Sequence, residues 1–167
     1  MPAIPTGLLQ ASGYAEVALG PTVASEPVGD IAKIVEGRIA RQRAMVTSPQ
    51  RFQFLMTEQA VRWRMAGAGV MAAQIERMVE LSRYENLDIA VLPNAATVPE
   101  APLNVFVVYD ERLVTAELFS GSVALRDPRD IAYHLELFEF FWSYALKDEE
   151  ATGFLRSVAA EFLRESE

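Results

Sequence analysis

The chain has one histidine, His134, and no cysteine, and this limits the chemistry that its side chains can perform. A single histidine excludes histidine-rich metal sites, and the missing cysteines exclude thiolate nucleophiles, iron–sulfur clusters and disulfides. No GxSxG pattern follows a predicted strand, so a serine nucleophile of the hydrolase type is not indicated. Acid–base catalysis by His134 with Glu136 or Tyr133 stays open, although a lone histidine on a helix is more often a surface or packing residue.

Carboxylates are the other groups that could act as acids, bases or metal ligands. Glu58, at the end of a predicted strand, and Asp88 and Glu117, within predicted strands, could converge, but their spacing does not place them as close as a dyad or a metal requires. Ion pairing with arginines is the competing interpretation. We predict that Glu58, Arg62, Arg38 and Arg41 form a charge network that ties the two early helices to the sheet.

Aromatic and methionine side chains are the most informative group, because flat rings and flexible thioethers can line a cavity that adapts to its ligand. Core packing is the alternative explanation for most of them. We predict that these side chains form either a cavity between helices and sheet or a dimer interface. The predicted ligand-binding residues are Trp63, Met71, Met78, Phe106, Phe138 and Trp142.

The segment Phe138-Glu139-Phe140-Phe141-Trp142 places more aromatic residues on a predicted helix than one face of that helix can bury. Positions 138, 141, 142 and 145 share one face, which we expect to point toward the sheet. Phe140 and Tyr144 then turn to the flank. We predict that this flank is an interface with a partner or with a second copy of the chain.

The elements that position these residues follow from hydrophobic periodicity and from the residues that end helices and strands. Helices are predicted over 8–19, from Asp30 to near Thr47, and over 58–65, 70–83, 128–146 and 149–164. Strands are predicted over 52–57, 87–93, 103–109, 113–119 and 123–125. Because short connections join the later strands, we predict an α+β fold, with a mainly antiparallel sheet of about five strands flanked by helices.

Length and charge narrow the function classes. A chain of 167 residues that is 51% hydrophobic fits a single domain over residues 1–167. Fifteen Lys and Arg against 23 Asp and Glu give a net charge of −8, so we expect no direct nucleic-acid binding by this chain. No apolar run reaches the roughly 18 residues that span a bilayer, and the start does not look like a signal peptide. We therefore expect a cytoplasmic protein without a membrane partner.

Several segments, in this order along the chain, resemble a known family. The segments are Pro5-Thr6-Gly7-Leu8-Leu9-Gln10 with Tyr14-Ala15, Arg38-Ile39-Ala40-Arg41-Gln42, Phe54 through Glu58 with Val61-Arg62, Val70-Met71 with Gln74-Ile75, Val91-Leu92-Pro93, Phe106, Glu117, Tyr133 and Ala145-Leu146. Together they resemble the actinobacterial domain-of-unknown-function family 5753, the C-terminal domain that usually follows a helix-turn-helix in transcriptional regulators. The resemblance spans nearly the whole chain.

The resemblance implies a sensing or protein-partner module, encoded with a small partner protein in toxin–antitoxin-like arrangements. It carries over no catalytic residue. Two features depart from the family pattern: the loop Thr97-Val98-Pro99-Glu100 lacks the usual histidine and glycine, and Met1 stands almost directly before the first motif, where a helix-turn-helix is expected upstream. We expect either an excised domain or a protein that has lost its DNA-binding half.

Two functions follow as hypotheses. The first is a non-enzymatic regulatory domain that binds a small apolar ligand or a small partner protein, without a cofactor. The alternative is a free-standing member of the family that acts as a cofactor-free cyclase or isomerase of secondary metabolism.

Overall fold

The computed structural model describes residues 3–20, 29–118 and 120–165. The described part begins with a short 3₁₀ helix, Gly7–Leu9. The α-helices are α1 (Ser12–Ala18), α2 (Ile31–Val46), α3 (Glu58–Arg62), α4 (Ala68–Leu81), α5 (Pro128–Ser143) and α6 (Asp148–Arg164). The strands are β1 (Phe52–Thr57), β2 (Leu87–Leu92), β3 (Phe106–Tyr109), β4 (Leu113–Leu118) and β5 (Gly121–Leu125). The α+β class is confirmed.

Side-chain caps fix three helix starts close to their predicted positions. The carboxylate of Asp30 accepts a hydrogen bond from the Lys33 amide, the Thr57 hydroxyl accepts one from Ala60, and Asp127 accepts one from Arg129. These bonds satisfy amide groups that have no partner within the first turn of a helix. The predicted helix over 8–19 is instead divided, because Gln10 and Ala11 adopt extended backbone angles between the 3₁₀ helix and α1.

The expectation of one antiparallel sheet of about five strands is wrong. Strands β1 and β2 form a two-stranded parallel sheet, in which Phe52 pairs with Leu87 and Thr57 with Leu92. Strands β3, β4 and β5 form a separate antiparallel sheet. Short turns force neighbouring strands to run antiparallel, but α3 and α4 intervene between β1 and β2 and return the chain to the start of the sheet. The predicted extension of β4 to Phe119 lies outside the described residues.

The parallel sheet separates two hydrophobic clusters, because successive side chains of a strand point to opposite faces. Met56 and Val91 face the larger cluster, which α1, α4 and α6 complete. Leu55 and Ala90 face the smaller cluster, which contains Phe141 of α5. Helix α5 is thereby fixed on one side of the sheet, and α4 and α6 on the other.

An isolated antiparallel bridge shortens α5 relative to the prediction over 128–146. The amide of Leu146 donates to the carbonyl oxygen of Val91 at 2.8 Å, and the amide of Val91 donates to the carbonyl oxygen of Leu146 at 3.1 Å. Since these backbone groups bond to β2, they cannot continue the helix, which ends at Ser143. The bridge fastens the end of α5 to the free edge of β2.

Buried glutamine side chains attach the N-terminal segment to α2 and α4. The Gln74 side chain accepts a hydrogen bond from the Ala11 amide at 2.7 Å and donates one to the Leu9 carbonyl at 2.9 Å. From α2, the Gln42 side chain donates to the Gln10 carbonyl at 2.6 Å. These contacts satisfy backbone groups that the extended residues between the 3₁₀ helix and α1 leave without helical partners.

The predicted charge network forms only in part. The Nε of Arg62 lies 2.6 Å from Glu58, as predicted, and its Nη1 lies 2.5 Å from Glu161 of α6. Arg38 instead donates to the side chain of Gln10, and Arg41 is exposed. The prediction failed for these two because residues that share a helix can face different neighbours, and α2 turns Arg38 toward the N-terminal segment.

Candidate functional site

A small cleft of about 120 Å³ opens between α5, β3 and the loop that leads into β3. The helix contributes side chains from one side of successive turns, since residues three and four apart lie on the same helix face. We call this feature the α5 cleft. It is lined by Glu100, Ala101, Pro102, Leu103, Asn104, Phe106, Tyr133, His134, Leu137 and Phe141.

The single histidine of the chain lines this cleft. Its Nδ1 lies 2.7 Å from the backbone carbonyl oxygen of Asp130, and because a carbonyl can only accept, Nδ1 must carry the proton. In the neutral ring, Nε2 then keeps its lone pair. The imidazole lies between two rings, with its centroid 5.0 Å from that of Phe106 and 5.6 Å from that of Tyr133, in both cases nearly perpendicular. The ring therefore has a fixed orientation against β3.

The open side, or rim, of the cleft has apolar and polar residues, among them Leu103, Tyr133, Glu100 and Asn104, whereas its base is buried. Leu103 is 79% exposed and Tyr133 is 60% exposed, while Phe141 is only 2% exposed. Both exposed side chains line the same depression, where they are accessible to another molecule. The combination of a buried base with the exposed side chains of Leu103 and Tyr133 makes this cleft a candidate place for another molecule to insert a group.

Sequence reasoning did not identify this rim. Leu103 was expected within a strand over 103–109, but β3 begins only at Phe106, so Leu103 lies in the loop with its side chain in solvent. The signal was present in Pro99 and Pro102, which prevent a regular strand directly before β3. For Tyr133, the sequence indicates an acid–base partner of His134 and a position of the family resemblance, but not a ligand- or partner-binding residue.

Two of the predicted ligand-binding residues, Met71 and Met78, lie far from the α5 cleft in the fold. Both are fully buried in the larger hydrophobic cluster, on the side of the parallel sheet that faces α4 and α6. A third, Trp63, follows α3 and is 53% exposed. Of the six predicted residues, only Phe106 lines the cleft. The structure thus does not bring the six together around one cavity, and their role in ligand binding stays a prediction.

The remaining predicted residues lie on α5, near but not within the cleft lining. Phe138 and Trp142 stack on each other with ring centroids 5.3 Å apart, and both pack against the smaller cluster. Phe140 also packs against this cluster, and its ring centroid lies 5.3 Å from that of Tyr144, which is 38% exposed. Phe140, which was predicted on the flank, thus packs with Phe138 and Trp142, and only Tyr144 of the two flank residues is exposed. The interface itself stays a prediction.

A second depression, of about 670 Å³, lies between the end of α4, the start of β2 and the start of α6. Its lining mixes both signs of charge, with Arg83 and Arg156 beside Asp88 and Asp148. Asp88 already forms an ion pair with Arg51 at 2.7 Å. Because this depression is wide and its lining mixes charges of both signs, we consider the α5 cleft the stronger candidate.

Among residues 3–20, 29–118 and 120–165, no group of three or more His, Cys, Asp or Glu side chains is arranged to hold a metal ion. Within the same ranges, no helix is both long enough and apolar enough to cross a membrane.

Comparison with known proteins gives one match. The model of the family described as "Domain of unknown function (DUF5753)" matches residues 2–157, which is nearly the whole chain. No curated protein and no solved structure matches.

Proposed function

This chain belongs to the DUF5753 family, and from that premise we propose that it is a non-enzymatic protein-interaction domain of a transcriptional regulator whose partner docks on the α5 cleft. The resemblance described above implies a helix-turn-helix that contacts DNA and a small partner protein encoded with the regulator. The net charge of −8 supports a regulator in which the helix-turn-helix contacts DNA and this domain does not.

The size of the cleft favours a protein partner over a drug-sized ligand. Pockets for such ligands measure about 300–1,000 Å³. The α5 cleft, at about 120 Å³, is closer to cavities of roughly 150 Å³ that admit one benzene ring. A single apolar side chain of a partner protein fits this volume, with the rest of the partner spread over the surrounding surface.

The exposed rim of the α5 cleft is the main observation that supports the proposal. Burying an exposed leucine side chain stabilises a complex by about 1.5–3 kcal/mol, and Leu103 is 79% exposed in the isolated chain. Tyr133 adds a flat ring with a hydroxyl that can hydrogen-bond at the edge of the contact. Anchors of this kind, beside a pocket, are typical of the centre of a protein interface.

One observation favours the enzymatic alternative. The Asp130 carbonyl holds the proton of His134 on Nδ1, which leaves Nε2 able to accept a proton in the neutral ring. A cofactor-free isomerase would use this nitrogen as its base. That reading predicts that the wild-type protein turns over a small molecule and that His134→Gln abolishes this turnover, whereas an interaction domain has no such turnover to lose.

Position-specific photo-crosslinking in the native host tests the proposal. A photoreactive phenylalanine analogue replaces Leu103 in one variant and Tyr84 in another; Tyr84 is 44% exposed and follows α4, outside the cleft. We expect one discrete protein adduct from position 103 and none of the same mass from position 84. No adduct from 103, or identical adducts from both positions, would contradict the proposal.

A further inference from the structure

The outer edge of β5 has backbone groups that no strand of the described residues satisfies. In β4, the Glu117 amide donates to the Val105 carbonyl at 3.2 Å, so Glu117 directs its backbone groups toward β3. Along an antiparallel strand, the backbone N–H and C=O groups of successive residues point alternately to one side of the strand and to the other. Ala116 therefore bonds to its partner Val123 in β5. The amides and carbonyls of Ser122 and Ala124 consequently point away from β4.

The side chains of this edge are small and uncharged. Residues 121–124 are all exposed, and β5 reads Gly-Ser-Val-Ala-Leu, without a charge or a proline. Proteins usually protect an edge strand with lysine, proline or a bulge, because an open edge is a template for another strand. The lack of such protection indicates that this edge has a strand partner.

We propose that β5 pairs antiparallel with β5 of a second copy of the chain, so that the two antiparallel sheets join into one. A two-fold axis at Val123 places Ser122 of one copy opposite Ala124 of the other. Since both residues direct their amide and carbonyl groups outward, the two symmetric pairs exchange backbone hydrogen bonds in both directions. The strand is thus complementary to itself in this register.

Side chains on one face of the joined sheet also match. Val123 meets Val123 of the second copy at the axis, and a pair of β-branched residues directly opposite each other stabilises a sheet. Leu118 and Val123, which are 55% and 41% exposed in the single chain, lie on the same face, because Leu118 pairs with Gly121. Pairing extends this face and covers part of both apolar side chains.

Charge favours a second copy at this edge over other parts of its surface. Two chains that each have a net charge of −8 repel one another, so an interface without charged side chains lowers the electrostatic cost of their association. The five residues of β5 carry no charged side chain. A stable interface needs about 800 Å² per partner, which a strand of this length does not reach alone. We therefore expect a reversible dimer that forms as concentration rises.

Analytical ultracentrifugation over a wide concentration range tests this directly. Wild type should show a monomer–dimer equilibrium, and Ala124→Pro should weaken dimerisation at least tenfold. This proline removes an outward amide without removing a bond to β4. The matched control is Val108→Pro, which removes an outward amide at the opposite edge of the same sheet, on β3, and should leave the dimer unchanged.

A second variant keeps the test valid if Ala124→Pro does not fold. Val123→Lys places two positive charges against each other at the two-fold axis and should also prevent dimerisation, while circular dichroism confirms the fold. A wild type that stays monomeric at every concentration would overturn the proposal. A dimer that persists in both β5 variants would also overturn the proposal. The same holds for a dimer that dissociates in Val108→Pro but in neither β5 variant. The partner bound at the α5 cleft is not needed in any of these measurements.

Discussion

The ring of Phe106 lies edge-on to the imidazole ring of His134, with centroids 5.0 Å apart and planes at 77°. This contact joins β3 to α5, two elements that belong to different parts of the sequence. Both residues line the α5 cleft. The contact also holds the histidine in place, together with the hydrogen bond from its Nδ1 to the Asp130 carbonyl.

We predict that neutral His134 carries its proton on Nδ1, which is the tautomer that the Asp130 carbonyl requires. Because the chain has one histidine, the imidazole gives a single spin system in a ¹⁵N-correlated NMR spectrum. The spectrum should show a protonated Nδ1 and an unprotonated Nε2 in the alkaline form. A spectrum dominated by the Nε2-protonated tautomer would show that the contact with Asp130 does not form in solution.

The individual elements could be predicted from the sequence, but the pairing of strands could not. Alternation of Phe52, Phe54 and Met56 indicates β1, and the apolar run ended by Pro93 indicates β2. Local patterns predict that a segment forms a strand and which face of that strand is apolar. They do not state which strand lies beside it, because hydrogen bonds between strands involve the backbone, which is the same in every residue.

The candidate site was predictable to a smaller extent. Met71 and Met78 share one face of α4, as their helical spacing predicts, but spacing cannot say whether that face meets α5 or α6. The structure places it on the α6 side of the sheet. The exposure of Leu103 and Tyr133 could not be predicted from the pattern of residues, since exposure depends on the neighbours that the fold supplies.

Gln74 should contribute strongly to stability because it is fully buried and bonds to two backbone groups of the N-terminal segment. Gln74→Ala leaves the Ala11 amide and the Leu9 carbonyl without their partner, so we expect a loss of about 2–3 kcal/mol in the free energy of unfolding. Urea denaturation measures this loss. The control Gln59→Ala, at an exposed position of α3, should change stability by less than about 0.5 kcal/mol. Equal effects of the two substitutions would contradict the assignment.

The hydroxyl group of Tyr14, unlike the side chain of Gln74, should not contribute to stability. This hydroxyl is buried without a hydrogen-bond partner among the described residues, and burial raises the pKa of Tyr14 to about 12. Removing an unsatisfied buried hydroxyl should cost nothing, so Tyr14→Phe should leave the free energy of unfolding unchanged or raise it by up to about 1 kcal/mol. Thermal and urea denaturation at neutral pH test this, and a clear loss of stability would reveal a hydrogen bond to the hydroxyl.

The same substitution predicts a difference at alkaline pH. Since burial raises the pKa of Tyr14 from 10.0 to about 12, the unfolded chain releases this proton at lower pH than the native state does. The free energy of unfolding that is present below pH 10 therefore falls as the pH rises toward 12. Wild type should therefore lose more stability than Tyr14→Phe over this interval. Parallel pH profiles for the two proteins would show that Tyr14 ionises as it does in the unfolded chain.

The Arg62–Glu161 ion pair predicts an acid dependence. The hydrogen bond from Arg62 lowers the pKa of Glu161 below its ordinary value of 4.5. A lowered pKa gives stability that is present above pH 4.5 and is lost as pH falls through the native pKa. Since the Glu161 side chain is 40% exposed, solvent screens the pair, and we expect an effect of only about 0.2–1 kcal/mol.

Glu161→Gln should flatten the acid side of the stability profile, measured as the denaturation midpoint against pH. Glu76→Gln, at an exposed position of α4, is the matched control and should follow wild type. If both variants lose stability in parallel with wild type as the pH is lowered, the ion pair does not contribute in solution.

The most direct test of the account is the affinity of the crosslinked partner for two matched leucine variants. Leu103→Ser removes the exposed anchor beside the α5 cleft, and Leu163→Ser removes a leucine that is 47% exposed on α6. Isothermal titration should give an affinity at least tenfold weaker for Leu103→Ser, because an apolar anchor contributes more than about 1.4 kcal/mol, and an unchanged affinity for Leu163→Ser. Equal affinities of wild type and Leu103→Ser would contradict a partner at this cleft.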